Sequence, residues 1–334
     1  MAAVDIAEQQ GTDIKKWAGW IVGIGIWFLP LFGMDFNTYM VLTIAGLSMG
    51  MLMFLTASGF SLIFGLMDVL NLAHGAFFAF GAYASYVLLN KFNAYGLVEG
   101  AGLLSSIGIF ILALIASVIL GLIIGLVLEK IIIRRVYGDH LKQILITMGS
   151  NMVMLQILIL IWGPNEDFVP IPGAFDGSFM LGDIVVSKFR VVAIIVGLIV
   201  LAAIQWVMTK TKLGIIVRAG VENPETVQTI GYNINRIFTG VFIVGAALAA
   251  IGGSMFTMYK MTVYPHCGDE YMIFALIVVI IGGLGSITGC FYGALMVGLA
   301  FNYVAFLAPQ LALGTNIAIM LIVLLIKPKG LMGR

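Results

Sequence analysis

Ten stretches of this chain are each apolar for the length a bilayer demands, and little lies between them. Crossing the hydrocarbon takes about 20 consecutive apolar residues per helix. Such runs fall at roughly 17–33, 39–64, 72–90, 103–128, 142–162, 191–208, 237–258, 272–287, 289–307 and 309–326. With 61% hydrophobic and only 10% charged residues over 334 positions, the chain has too little polar surface for a water-soluble fold, where about 25% of residues are charged. The expected fold is an all-α polytopic membrane protein, a single transmembrane domain over 1–334. The number of crossings is eight to ten, depending on whether 272–307 crosses twice or dips in and returns.

Lys15 and Lys16 ahead of the apolar run from Trp17 to Phe32 imitate a signal peptide. No small-residue cleavage site follows, so the run reads as a retained first span. Of the 17 basic residues, four (Lys91, Lys188, Arg190 and Lys260) fall on one side of the layout and the rest on the other. Short cytoplasmic loops are rich in Lys and Arg, which places both termini in the cytoplasm. The loop 163–190, with Glu166, Asp167, Asp176 and Asp183, then lies outside, and 167–173 reads as a strand or small cap. The basic loop from Glu129 to Lys142 is expected to control topology and to meet lipid phosphates.

Several chemistries are excluded. There is no glycine-rich phosphate loop ending in Lys-Ser or Lys-Thr, so nucleotide chemistry has to come from another chain. Cys267 and Cys290 make neither a disulfide framework nor a zinc set, and no metal site is expected. A net charge of +1 gives no reason to expect nucleic acid. Ser58, Ser61 and His74 do not form a nucleophile–base spacing, so the chain does not read as an enzyme.

Two interruptions break the apolar pattern. The first, Phe64 to Gly75, brings Asp68, Asn71 and His74 close to the membrane interior. A charged residue at the bilayer centre costs about 2.5–3.5 kcal/mol on insertion scales, so such groups face protein or a wet cavity, or sit at a helix end. Asp68 reads either as a path residue or as the cap of the preceding span. Asn71 suits the N-cap of a helix starting at Leu72. His74, near the positive end of that helix, is expected to be neutral. The second interruption runs from Ile281 to Gly293 and holds Ser286, Thr288 and Gly289. The five residues from His74 to Phe78 look like those from Thr288 to Tyr292. Paired breaks in two halves of a transporter point to its pathway, so Asp68, Asn71, His74, Gly75, Ser286, Thr288 and Gly289 are the candidate path residues; the glycines equally suit close helix packing.

The third feature is a hydrophilic island at 209–236. Asn223 suits an N-cap, Pro224 the first helical position and Glu225 the positive helix end. Gly231 suits a left-handed stop. A helix of about two turns is unstable alone in water and needs a docking surface. Val227 and Ile230 share a face that suits a partner's groove. Arg218 and Glu222 lie just upstream.

These three regions together resemble the permease subunits of bacterial ABC importers, in the branch that takes up branched-chain amino acids. The first-half likeness runs from Asp68 to Phe78 and on through Gly81, Ala82 and Tyr83; the second-half likeness is Gly282 to Ser286 with Gly289 and Gly293. Lys212 to Gly214, Arg218-Ala219, Asn223 to Glu225 and Gly231 to Asn233 are similar to the family's coupling segment, and Lys327 to Leu331 to its basic tail. Tyr232 stands where an aliphatic residue is commoner. The resemblance implies a bacterial inner-membrane complex. Its other members would be a second, homologous permease, two ABC ATPase subunits that carry the ATP and Mg, and an extracytoplasmic solute-binding protein. No cofactor is then held by this chain. Arg218, Glu222, Asn223, Pro224, Glu225, Val227, Ile230 and Gly231 would couple the ATPases to the path. Members of the family also carry urea, short amides and aromatic acids. A different class of reading, a proton-coupled secondary transporter or amide channel, uses Asp68 and His74 as a proton site and needs no partner.

Overall fold

The apolar runs become helices, four of which start at a side-chain cap. The computed structural model describes residues 33–333 except Asn223, together with Gly23, 25–27 and Pro30. The expected first span, 17–33, therefore lies almost wholly outside the described residues. The first long helix, α1 (Phe36–Met67), starts where the Asp35 side chain accepts from the Thr38 amide. Then follow α2 (His74–Ala94), α3 (Leu103–Ile131), α4 (His140–Trp162), α5 (Lys188–Lys210), α6 (Lys212–Glu222), α7 (Pro224–Thr229), α8 (Ile234–Lys260), α9 (Cys267–Gly282), α10 (Ile287–Leu307) and α11 (Ala312–Ile326). Asp139, Asn233 and Ser286 cap α4, α8 and α10 in the same way as Asp35 caps α1. Strands are minor: β1 (Asp167–Phe168) pairs antiparallel with β4 (Thr262–Val263), and β2 (Ser178–Leu181) with β3 (Ile184–Ser187).

Seven of the described helices are long and apolar enough to cross a membrane; α2 and α9 are not among them. The reason is geometric. A helix that starts inside the protein need not be apolar over a full crossing. The His74 ring meets the Thr56 carbonyl, eleven residues before the end of α1, or about 16 Å in at 1.5 Å per residue. The expected run 272–287 is displaced: α9 begins at Cys267, and a non-helical break at 283–286 separates it from α10.

The fold contains two copies of one unit, inserted in opposite directions. In the first, α1 ends in Asp68 with φ 53°, residues 68–73 return, and α2 starts at His74. In the second, α8 ends in Met261 with φ 61°, residues 261–266 return, and α9 starts at Cys267. Asp68 and Met261 are the only non-glycine residues with positive φ among the described residues. The packing mirrors the chain: α10 lies on α1 as α3 lies on α8, and α9 on α1 as α2 on α8. The α1–α8 and α2–α9 contacts straddle the axis between the units.

Lipid tails are as apolar as leucine, so small residues and close packing hold such a bundle. At the axis a Cβ on Gly75 or on Gly268 would strike the other's carbonyl oxygen. Gly65 meets Gly285 equally closely, and Gly253 meets the Phe78 backbone. The core around these contacts is aromatic, with Phe78 stacked on Tyr271 at 5.1 Å between ring centroids.

Candidate translocation and coupling sites

The return between α1 and α2 is irregular backbone carried deep into a membrane protein. Such backbone survives only where protein groups or a wet cavity meet its polar atoms. Here α4 supplies them. The Leu70 amide donates to Gln143 Oε1 at 3.3 Å and the Leu72 amide to Thr147 Oγ1 at 3.1 Å. Four residues further on, the Asn151 amide group donates to Asp269 Oδ1 in α9 at 2.7 Å. A polar stripe at positions 143, 147 and 151 thus binds α4 to both units. Sequence reasoning passed over it, although three polar residues at i, i+4 and i+8 in an apolar run were a legible signal.

The path candidates separate into two groups. Asn71, His74 and Gly75 come together deep in the bundle, all buried. Asn71 Oδ1 accepts from the Ala73 amide at 3.1 Å, closing a turn, and α2 begins at His74, two residues beyond the expected start at Leu72. His74 Nε2–H donates to the Thr56 carbonyl at 3.0 Å, while Phe60 and Phe77 flank the ring edge-on. Its Nδ1 and the Asn71 Nδ2 have no partner among the described residues. A proton on that Nδ1 would be a buried, unpaired cationic donor, so the environment fits the expected neutral ring.

Asp68, Ser286, Thr288 and Gly289 lie instead toward the end of the bundle where α1 stops and α9 meets α10. Asp68 caps α1 in the left-handed region, with its side chain 74% exposed and 3.4 Å from His140 Nε2. Ser286 caps α10 through the Gly289 amide at 3.1 Å, and Gly289 packs on Gly282. Gln205 donates to Thr288 at 3.4 Å. The chain's tail closes this break: the Leu331 and Met332 amides donate to the Ile281 and Gly282 carbonyls at 2.8 and 3.0 Å. These bonds occupy carbonyls that a helix end leaves open. The likeness between His74–Phe78 and Thr288–Tyr292 therefore paired the wrong segments. In three dimensions the counterpart of Gly75 is Gly268, at the start of α9.

Between the two helix starts, Gly75, Gly268, Asn151 and Asp269 border a void of about 10 Å³, room for roughly one water. In this conformation the starts of α2 and α9 close against each other.

The hydrophilic island folds into two helices where one was expected. α6 precedes the capped turn, and its spacing of Leu213, Ile216, Val217 and Gly220 marks an apolar face that sequence reasoning missed. Arg218 lies on α6, its Nε bonded to the Gly214 carbonyl at 3.2 Å, and Glu222 ends that helix. Asn223, the expected cap, lies outside the described residues. Pro224 and Glu225 open α7, and Gly231, at φ 95°, closes it. The shared face of Val227 and Ile230 is not free as a pair: Val227 is buried within this chain, because so short a helix needs an anchor, while Ile230 is 69% exposed. Ile230 and Tyr232 are the large apolar side chains that the described part of this segment exposes.

The start of α8, immediately after this segment, is tied to the end of α3. Arg134 Nη2 donates to Thr239 Oγ1 at 3.0 Å, and its Nε lies 3.5 Å from the buried Glu129. Tyr137 also donates to Glu129, at 3.2 Å; burial, and then that carboxylate, hold its phenol above the usual range. Part of the basic loop expected to face lipid phosphate is thus engaged inside the protein.

A multi-pass bundle with mirrored half-inserted helices and a helical segment projecting at one end defines a membrane permease. The chain belongs to a known family of these: residues 42–326 match the model described as branched-chain amino acid transport system / permease component. The chain is 26% identical to the high-affinity branched-chain amino acid transport system permease protein BraD of Pseudomonas aeruginosa, over 89% of this chain and 96% of the relative. It is 24% identical to LivH of Escherichia coli, a permease protein of the same description, over 86% and 94%. A fructose import permease protein, FrcC of Rhizobium meliloti, matches 54% of the chain at 26% identity. No solved structure shows significant similarity to the chain.

Proposed function

We propose that this chain is the solute-conducting subunit of an ATP-driven importer of branched-chain amino acids. The observation that carries the reading is the near end-to-end likeness to permease proteins of that description. The complex would hold a second permease, two ATPase subunits that bind ATP and Mg, and an extracytoplasmic solute-binding protein. This chain would carry out no chemistry and hold no cofactor. It would lie in a bacterial inner membrane with both termini in the cytoplasm, in keeping with its uneven loop charge.

The solute would pass where the starts of α2 and α9 meet, bordered by Asn71, His74 and backbone dipoles. The neutral donors and acceptors suit a zwitterion with an apolar side chain, and the one carboxylate on the border of the void, Asp269, already accepts from Asn151. Because the two starts are in contact, passage requires them to part. The force would enter at α6 and α7, with Ile230 and Tyr232 seated in an ATPase groove and Arg218, Glu222, Asn223, Pro224, Glu225 and Gly231 shaping that contact. Asp68, Ser286, Thr288 and Gly289 would form the gate at the same end.

The test is uptake into proteoliposomes holding all subunits, offered leucine, urea and a short amide. Leucine uptake should require ATP, and deletion of 223–231 should abolish it while leaving membrane insertion intact. ATP-independent leucine flux by this chain alone, or full uptake by the deletion, would overturn the proposal.

A further inference from the structure

At the end of the bundle that carries α6 and α7, a trough of about 530 Å³ opens between α1, α5, α6 and α8. Its walls include Leu66, Val207, Leu213, Val217 and Val244, and every lining residue but one is apolar or glycine. The exception is Arg236, in the first turn of α8. Among the carboxylates whose side chains the structure describes, which exclude Glu222 and Glu225, none forms an ion pair with it. Trp206, 63% exposed near the end of α5, marks the depth of the membrane–water boundary. Lys210 ends α5 and Lys212 opens α6 on the same stretch of chain.

A solute path for a polar molecule needs donors and acceptors along its wall, which this trough lacks. A long apolar slot that ends in an exposed arginine at headgroup depth has the chemistry of a lipid seat. We propose that the trough holds an acyl chain of one anionic phospholipid, whose phosphate pairs with the Arg236 guanidinium. Arginine's planar fork meets phosphate oxygens through two parallel hydrogen bonds, and Lys210 and Lys212 add attraction for an anionic headgroup. α5 continues the slot outward as a lipid-facing surface, with Leu198, Ile199 and Trp206 exposed. The lipid would fill the space behind the apolar face of α6 and so form part of the packing under the coupling segment.

Gly240 gives a direct way to block the seat. It lines the trough, and a Cβ there meets nothing within 4 Å, so Gly240→Leu enters the slot without striking backbone. The purified full chain, stripped of lipid in detergent, is titrated with phosphatidylglycerol or phosphatidylcholine and read by native mass spectrometry. The unaltered chain should retain one phosphatidylglycerol in preference to phosphatidylcholine. Arg236→Gln, at an exposed position, should remove that preference several-fold. Gly240→Leu should reduce retention of both lipids, with a melting temperature like that of Gly240→Ala. A phosphatidylglycerol preference unchanged in Arg236→Gln, or undiminished retention in Gly240→Leu, overturns the proposal. So does a Gly240→Leu variant that keeps its lipid while its dimers dissociate, because a second copy then covers the slot.

Discussion

The two returns have the same length and opposite support. Residues 261–266 lean on backbone: β4 pairs with β1, and the Val169 amide donates to the Met261 carbonyl at 2.8 Å. Residues 68–73 lean on side chains, with Gln143 and Thr147 of α4 accepting from two amides. A backbone ladder tolerates many substitutions along it. A pair of side-chain acceptors fails when either is removed, because a buried amide is left unmet. The return between α1 and α2 is therefore the more easily disturbed of the two. Asn71 within it and His74 just after it carry buried nitrogens with no partner among the described residues; its opposite number has a hydrogen-bonded strand.

The largest expected effect falls where the two units are alike. Gly75→Val and Gly268→Val should each abolish uptake and lower yield in the membrane, because each new side chain meets the opposing backbone. A normal yield and uptake from either would show that the helix starts do not stay in contact.

A smaller effect should separate the returns. Thr147→Val and Gln143→Leu should each destabilise the protein by about 1–3 kcal/mol, the cost of a buried amide with no acceptor. Thr262→Val, in β4, leaves the backbone ladder in place and should stay within about 0.5 kcal/mol. Thermal unfolding in detergent compares them, and equal losses at all three sites would remove the distinction.

The smallest effect concerns the left-handed caps. An L-residue in that conformation costs about 1–2 kcal/mol, and aspartate visits it more readily than methionine. Met261→Gly should thus raise stability by about 1 kcal/mol. Asp68→Gly should gain less, since it also loses the exposed contact with His140, worth about 0–1 kcal/mol. A larger gain at Asp68 would reverse the ranking.

Much of the fold was legible. Apolar length placed the helices from Phe36 to Ile326, since a bilayer requires intact helical hydrogen bonding over that distance. The stop at Gly231 and the break at 283–286 were readable because glycine supplies backbone states that other residues avoid. The amphipathic α6 was also written in the spacing of its apolar residues and was passed over. The mirrored unit was hidden: Asp68 and Met261 share a left-handed backbone and no chemistry, so no motif joins them.

By itself, then, the sequence determined that this chain lives in a bilayer, where its helices run and where they break, because hydrophobic length and glycine act locally. Only the tertiary structure decided which breaks face each other, that Gly75 meets Gly268 and not Gly289, that Val227 turns inward, and that α4 holds the first return. Val227 turns inward against its chain neighbours α6 and α8; the other outcomes depend on contacts between residues more than 70 positions apart, with shape complementarity choosing among many pairs of small residues that are locally equivalent.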